Sequence, residues 1–419
     1  PAPPSLAAAA SAAETATLVV VQAPILRTRI DPDFAAQLRD RLAASPLFLD
    51  RLRKVGAGGH TVAVAFPRPG PNWYRGAALC NECAESDVLK PFLQRTGAKR
   101  VVVGHTVARN GTAVSRFDGA VVKLDAGMNR AVYKGRPAAL VSDASGSRVS
   151  YANPTVAPAA VPAEPLFLSS QTLGENEVAD LLARGTIAVT ETCAPGVLEV
   201  RVTLEGRSVD GIFEAASADT VKREMAAYRL DRLLGLGLVP ATVAREHDGK
   251  SGVLQGRPEN WASEQDRQNA SKGTAAGLVC QAISNALKDL PARRPPQAKP
   301  AKMPSGGWCE LPPQFQLVYA FDTLIDNRGR TFDRYLYDAD TAMMFLVGHA
   351  AAFGTGTDVP KALDAALAKT GPEMQLRLRR LDAASLKAAI GEYVDEREIK
   401  ALLERRDRIL KLAAAKVGG

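Results

Sequence analysis

Four prolines in fifteen residues, YANPTVAPAAVPAEP at Tyr151–Pro165, cut this chain in two. Each proline removes a backbone donor and fixes φ, so neither a helix nor a central strand can run through the stretch. The stretch reads as an interdomain linker. The chain is 419 residues long, enough for a core on either side of it. The resulting organisation is a leader at 1–16, a first domain at 17–150, the linker at 151–165 and a second domain at 166–419.

The leader PAPPSLAAAASAAE has no apolar periodicity and reads as disordered. Its Ala-x-Ala character is compatible with signal-peptidase processing, without the charged and apolar regions of a signal peptide. Exported (periplasmic) and cytoplasmic locations both stay open. In the first domain, Leu18–Ile25 and Arg100–Val103 are expected as strands. Pro32–Val55 and Lys90–Thr96 are expected as helices. Ala113–Leu124 alternates around Asp118-Gly119, a hairpin signal.

The second domain has a different grammar. A helix is expected at Glu175–Arg184, then strands at Gly185–Thr192, Val197–Leu204 and Arg207–Glu214. An amphipathic helix at Ala218–Leu234 stops at Gly235 and Gly237. Strands at Val239–Arg245 and Gly252–Leu254 flank the turn Asp248-Gly249. A polar, proline-rich insert at about 262–308 reads as a loop, and helical patterns follow to Ala415. The fold class is therefore α/β in the first domain and α+β in the second.

The net charge of +8 favours acidic partners only weakly, because its densest runs fit solvated helix faces. No zinc-finger, helix-turn-helix or RNA-binding signature accompanies them. Aromatic residues make up 5% of the chain, which leaves no stacking platform for single strands. No run is long and apolar enough to span a membrane, and no Walker loop or Ser-His-Asp arrangement is present. Partners are expected to be protein, or a phosphate-bearing ligand. Of the five cysteines, Cys80-Asn81-Glu82-Cys83 has the spacing of half a zinc site, a redox pair or a local disulfide, and two plain thiols are the first reading. Cys280 and Cys309 bracket the insert, where a disulfide would close the loop.

Two stretches carry family resemblances. GPNWYRG (Gly70–Gly76) and VVVGHTVARNGTAVSRFDGAVVKLDAGMNRAVYKGRPAAL (Val101–Leu140) resemble the C-terminal half of calcineurin-like metallophosphoesterases of the bacterial protein-phosphatase-like branch. The resemblance implies that His105 of Gly-His-Thr is a metal ligand and that Arg75 faces a phosphate pocket. The Asp-x-His, Gly-Asp and Gly-Asn-His ligands of that family do not precede GPNWYRG here. His60 stands in a second Gly-His-Thr, read as coincidence.

Residues 166–419 resemble bacterial proteins of the phosphatidylinositol-kinase-like group of the protein-kinase-like superfamily. Lys222–Gln255, Phe321–Phe353 and Tyr393–Lys411 carry the likeness. It implies a small β-rich lobe followed by a larger helical lobe. Phosphoryl transfer needs a lysine on the phosphates, an acid near the acceptor, and an Asn and an Asp on magnesium. Mapped onto that pattern, the lysine position holds Glu214, its helix partner is Glu224, and the catalytic Asn-x-Asp-Arg reads Asn327-Arg328-Gly329-Arg330. The metal-binding Asn reads Asp333, and the last Asp-His reads Gly348-His349. Glycine can neither ligate a metal nor accept a proton through a side chain.

The residues expected toward phosphate or nucleotide are Arg75, Glu224, Asn327 and Arg330. Those expected toward a divalent metal (Mn, Fe, Zn or Mg) are His105 and Asp333. Asp338 and Asp340 extend the Asp333 cluster as a weak cation site, and Asp322 and Asp326 are read as capping or surface residues. The leading expectation is a pseudoenzyme that binds or scaffolds. The alternatives are a metal-dependent phosphoesterase whose missing ligands lie upstream or on a partner, and an atypical phosphotransferase.

Overall fold

The computed structural model describes residues 19–21, 74–108, 111–143, 146–152, 159–164, 173–257, 261–265, 309–338 and 341–415. The expected leader, the helix at 32–55, His60, Asp340 and Cys280 lie outside them. The described chain is a mixed α/β structure with several small sheets and ten helices. It divides into two units, residues 1–78 with 92–164, and residues 79–91 with 165–419.

In the first unit a four-stranded sheet runs in the order β1-β2-β4-β3. Its strands are β1 (Val19–Val21), β2 (Val101–Val103), β3 (Val114–Arg116) and β4 (Val121–Lys123). β1, β2 and β4 are parallel, and β3 and β4 form the hairpin expected around Asp118-Gly119. Helix α1 (Gly76–Leu79) precedes α2 (Glu82–Thr96), which belongs to the second unit up to Pro91. A short helix α3 (Arg130–Tyr133) leads to a second sheet of β5 (Ala138–Asp143), β6 (Gly146–Tyr151) and β7 (Ala159–Ala160). Residues 159–164, inside the stretch read as a linker, thus join this unit. β7 pairs with β6, and the carboxylate of Glu164 meets Lys123 Nζ at 2.6 Å and Arg116 Nε at 3.2 Å. Lys123 is almost fully buried. A buried ammonium without its carboxylate carries a large desolvation penalty, which ties Glu164 to the sheet.

The second unit opens with α4 (Glu175–Arg184) and a five-stranded antiparallel sheet in the order β11-β12-β10-β9-β8. The strands are β8 (Thr186–Ala194), β9 (Val197–Leu204), β10 (Arg207–Ala215), β11 (Thr242–His247) and β12 (Lys250–Gly256). Val200, Val202, Val209, Phe213 and Leu254 pack on Val178, Leu181 and Leu182 of α4. Helix α5 (Ala218–Leu234) lies in sequence between β10 and β11. Its Ser217 cap accepts from Thr220 N–H at 3.2 Å, and Gly235 ends it at φ +64, the stop that the sequence signals.

A small sheet of β13 (Trp261–Ser263), β14 (Tyr335–Asp338) and β15 (Met344–Leu346) accompanies the helices α6 (Leu311–Leu324), α7 (Asp364–Leu367), α8 (Pro372–Arg379), α9 (Ala383–Ile390) and α10 (Glu396–Ala415). The two strands β14 and β15 interrupt a region read as mainly helical. Their runs, YLYD and MFL, are short and buried on both faces, so they lack the alternation that marks a half-exposed strand. One apolar core joins α5, α6 and α8–α10. Arg405 of α10 is fully buried in it and donates to Leu324 O and Gly354 O, each at 2.9 Å.

The disulfide expectations are corrected. Cys80 is bonded to Cys309, and Cys83 is a free, buried thiol. Cys83 lies in the first turn of α2 and packs in the main core, so its side chain faces away from any bridge to its neighbour. Burial, opposed by Arg377, pushes that thiol up to about 12. Neither a local bridge nor a zinc half-site is formed by the Cys80/Cys83 pair, and Cys309 does not close the insert with Cys280. Cys193 is bonded as well.

The Cys80–Cys309 bridge closes a loop of 229 residues. A loop of that length carries about 5 kcal/mol in the chain-entropy account, and removing native bridges typically costs about 2–5 kcal/mol. Cys309→Ser is therefore expected to lower the unfolding free energy by about 2–5 kcal/mol in urea melts. Native alkylation with iodoacetamide should leave Cys83 unmodified, as read by mass spectrometry.

Candidate functional site

The residues expected to carry chemistry in the second unit do come together, in a closed set of ion pairs. Helix α5 buries Glu224 in its second turn. Its carboxylate accepts from the backbone N–H of His349 and from His349 Nδ1 at 2.9 Å. Gln255 of β12 donates to the same carboxylate at 3.4 Å and to Thr242 Oγ1 at 3.2 Å. Burial works against the charge of Glu224, and His349 outweighs it, so the carboxyl sits below its usual range. His349 is fully buried, and Phe321 stands edge-on to its ring at 6.3 Å.

β10 alternates as a half-buried strand should. Phe213 enters the core and Glu214 faces the other way, part-exposed. Gly252 of β12 is obligatory beside it, because a Cβ there would meet Glu214 O at 2.2 Å. Glu214 pairs with Arg334 at 3.5 Å, and Arg334 in turn lies 3.4 Å from Asp333. At the position where the kinase-like pattern expects a phosphate lysine, the protein thus carries an acid already engaged by its own arginine.

The loop after α6 is held from both sides. Asp322 in the last turn of the helix takes a two-pronged bond from Arg330, at 2.6 and 2.7 Å. Arg330 also donates to Val347 O at 2.6 Å and lies over the Tyr335 ring. Asn327 donates to Gly348 O at 3.3 Å, while its own carbonyl oxygen has no partner. Asp322 therefore holds the loop rather than capping a surface helix. Gly329 has open space, its nearest neighbour for an added Cβ being Ala351 at 3.6 Å. Gly348 has none. Its φ is +76, and a Cβ would land 2.8 Å from Arg334 Cδ. Arg334 fills the volume that a side chain at 348 would need.

Asp333 does not fit a metal site on its own, since a guanidinium already faces it. Asp338 accepts from Thr341 N–H at 2.8 Å and its hydroxyl at 2.9 Å, closing a turn rather than a cation site. Among the described residues no group of three or more His, Cys, Asp or Glu is gathered to hold a metal. In the first unit His105 is exposed in the turn after β2, at φ +58. Arg75 is buried just before α1, and its carbonyl accepts from Ala78 N–H at 2.9 Å.

Sequence reasoning passed over Arg334 and Gln255, and it read Asp322 as a cap. Arg334 had one usable signal: an acid at 214 beside a core strand demands a cation, and the arginine adjoins Asp333.

No protein-family model matches the chain, and no curated protein matches it. Among solved structures the chain is similar to a Helicobacter pylori proinflammatory kinase, CtkA, at 11% identity and a TM-score of 0.34, over 56% of this chain and 96% of that one.

Glu224 gives a pH signature. Its folded pKa lies below the unfolded value of 4.5, so its contribution is full above that value and is lost as pH falls through the lower folded one. Glu224→Gln is expected to cost about 1–3 kcal/mol near neutral pH, because the amide cannot accept from both His349 donors. The deficit should shrink on acidification below pH 4.5, read from urea midpoints of the two proteins across that range.

Proposed function

We propose that this protein is a binding or scaffold protein whose kinase-like unit does not transfer phosphoryl groups. The kinase-like reading rests on the sequence resemblance. It is supported by element order: three antiparallel strands, one helix, two strands, then a mainly helical remainder. The observation that carries the loss of activity is the Glu214–Arg334–Asp333 chain. A carboxylate at the lysine position repels a nucleotide's phosphates, and the arginine that would neutralise it is held by two acids. Glu224, which in the resembled pattern pairs with the lysine, is committed to His349 instead.

Gly329 and Gly348 differ as losses. An aspartate at 329 has room, so restoring it is sterically simple. An aspartate at 348 would strike Arg334 and occupy left-handed backbone. The surroundings have closed over the second position, and one substitution does not reopen it. The first unit is read in the same way, as a phosphatase-like fold retained for recognition. Its resemblance alone supports that. The Cys80–Cys309 bridge supports an exported, oxidising setting, where such bonds persist.

The test is ATP turnover with magnesium and with manganese on the purified chain. Wild type, Gly329→Asp and the double variant carrying both Gly329→Asp and Gly348→Asp are all expected at the level of a no-protein control. Gly329→Asp should change stability by no more than about 0.5 kcal/mol, and Gly348→Asp should cost about 1–3 kcal/mol. Wild-type turnover that disappears with Asp333→Ala would sink the reading.

A further inference from the structure

The first unit contains a second polar feature that neither resemblance assigns. The chain from Gly127 to Arg136 folds back on itself beside Gly111 and Thr112, around an open cavity of about 550 Å³. Arg130, Lys134 and Arg136 all line it, with Thr112 and the backbones of Gly111 and Gly135. No carboxylate among the described residues pairs with any of the three cations. Elsewhere in this unit, the buried cations Arg116 and Lys123 share Glu164.

The cations are mounted on stiff backbone. Gly135 is pressed against Ala126, whose carbonyl oxygen would lie 1.8 Å from an added Cβ. Gly127 is confined less tightly by the Tyr133 side chain, at 2.7 Å, and its N–H donates to Asp125 Oδ1 at 2.9 Å. The Arg136 guanidinium lies 3.9 Å over the Tyr151 ring, and the hydroxyl of that tyrosine accepts from Ala113 N–H at 2.8 Å. Stacking fixes the plane of the guanidinium and leaves its edge free to donate. Lys134 sits at φ +55, a left-handed conformation that lysine adopts at a cost and that glycine or asparagine would take freely. The loop therefore holds three like charges together with no carboxylate partner among the described residues, an arrangement that disfavours itself until an anion arrives.

We propose that this cavity binds a phosphate-bearing ligand through Arg130, Lys134 and Arg136. Two guanidinium forks and an ammonium match the multiple oxygens of a phosphate group better than the two of a carboxylate. The volume leaves room for an organic body attached to the phosphate. Met128, Val132 and Tyr133, close by in sequence, are exposed as well. The ligand is a soluble phosphorylated molecule or a phospholipid head group, which share this chemistry. The role of the cavity is independent of whether the kinase-like unit has activity.

The experiment titrates the full chain with pyrophosphate by calorimetry, and in parallel floats it with phosphatidylcholine vesicles lacking or containing phosphatidic acid. Saturable, salt-sensitive binding of pyrophosphate supports a soluble ligand. Flotation only with phosphatidic acid supports a head group. In either arm the Arg130→Gln/Lys134→Gln double variant should weaken binding at least about tenfold. Its melting temperature should not fall, because both side chains are exposed and their mutual repulsion is removed. Arg136→Lys keeps the charge and loses the stacked fork, and should weaken binding less than the double variant. Absence of saturable binding to both probes overturns the proposal, and so does binding that the double variant leaves unchanged.

Discussion

The second unit turns on one buried carboxylate. Glu224 receives the backbone and ring donors of His349 and the amide of Gln255, so a single side chain links helix α5, strand β12 and the segment after β15. These three pieces are far apart in sequence. Removing any donor leaves a charge in a medium where it cannot be solvated, which makes the junction cooperative rather than a sum of weak bonds. The same physics acts one layer away, where Arg330 is buried on Asp322 and fixes the loop after α6 to Val347.

The two junctions, together with Arg334, balance the charges of this site from within the protein. In the kinase-like pattern a lysine would hold the helix glutamate, and a magnesium-binding aspartate would precede the histidine. Here the histidine itself holds the glutamate, and Arg334 spans Glu214 and Asp333. Each of these charges has an internal partner. A site that must receive a polyanion and a cation needs partners that are free. The cavity of the first unit is the reverse case, with three cations held together and no described carboxylate beside them.

Much of the second unit was legible residue by residue. The limits of α4 and α5 follow from their apolar spacing and, for the end of α5, from Gly235. The hairpins follow from alternation around short turns. Strands β14 and β15 escaped notice because residues buried on both faces show no period. Positions 214, 329, 333 and 348 were visible as departures from a pattern and 224, 327, 330 and 349 as matches to it, but the pattern could not name their partners. The cysteines make the same point. Spacing made Cys80 and Cys83 look like a pair, yet a residue on a helix points wherever that face is buried, and α2 buries Cys83.

By itself, the sequence determined the local elements and which residue types stand at the candidate positions, since both depend on residue type and near neighbours. Only the tertiary structure decided that Cys80 meets Cys309, that His349 is the partner of Glu224, and that Arg334 closes over Gly348. Each of these is a contact made by packing rather than by chain proximity. Charge satisfaction, and whether a Cβ has room, depend on what packing brings alongside, and no local pattern encodes that.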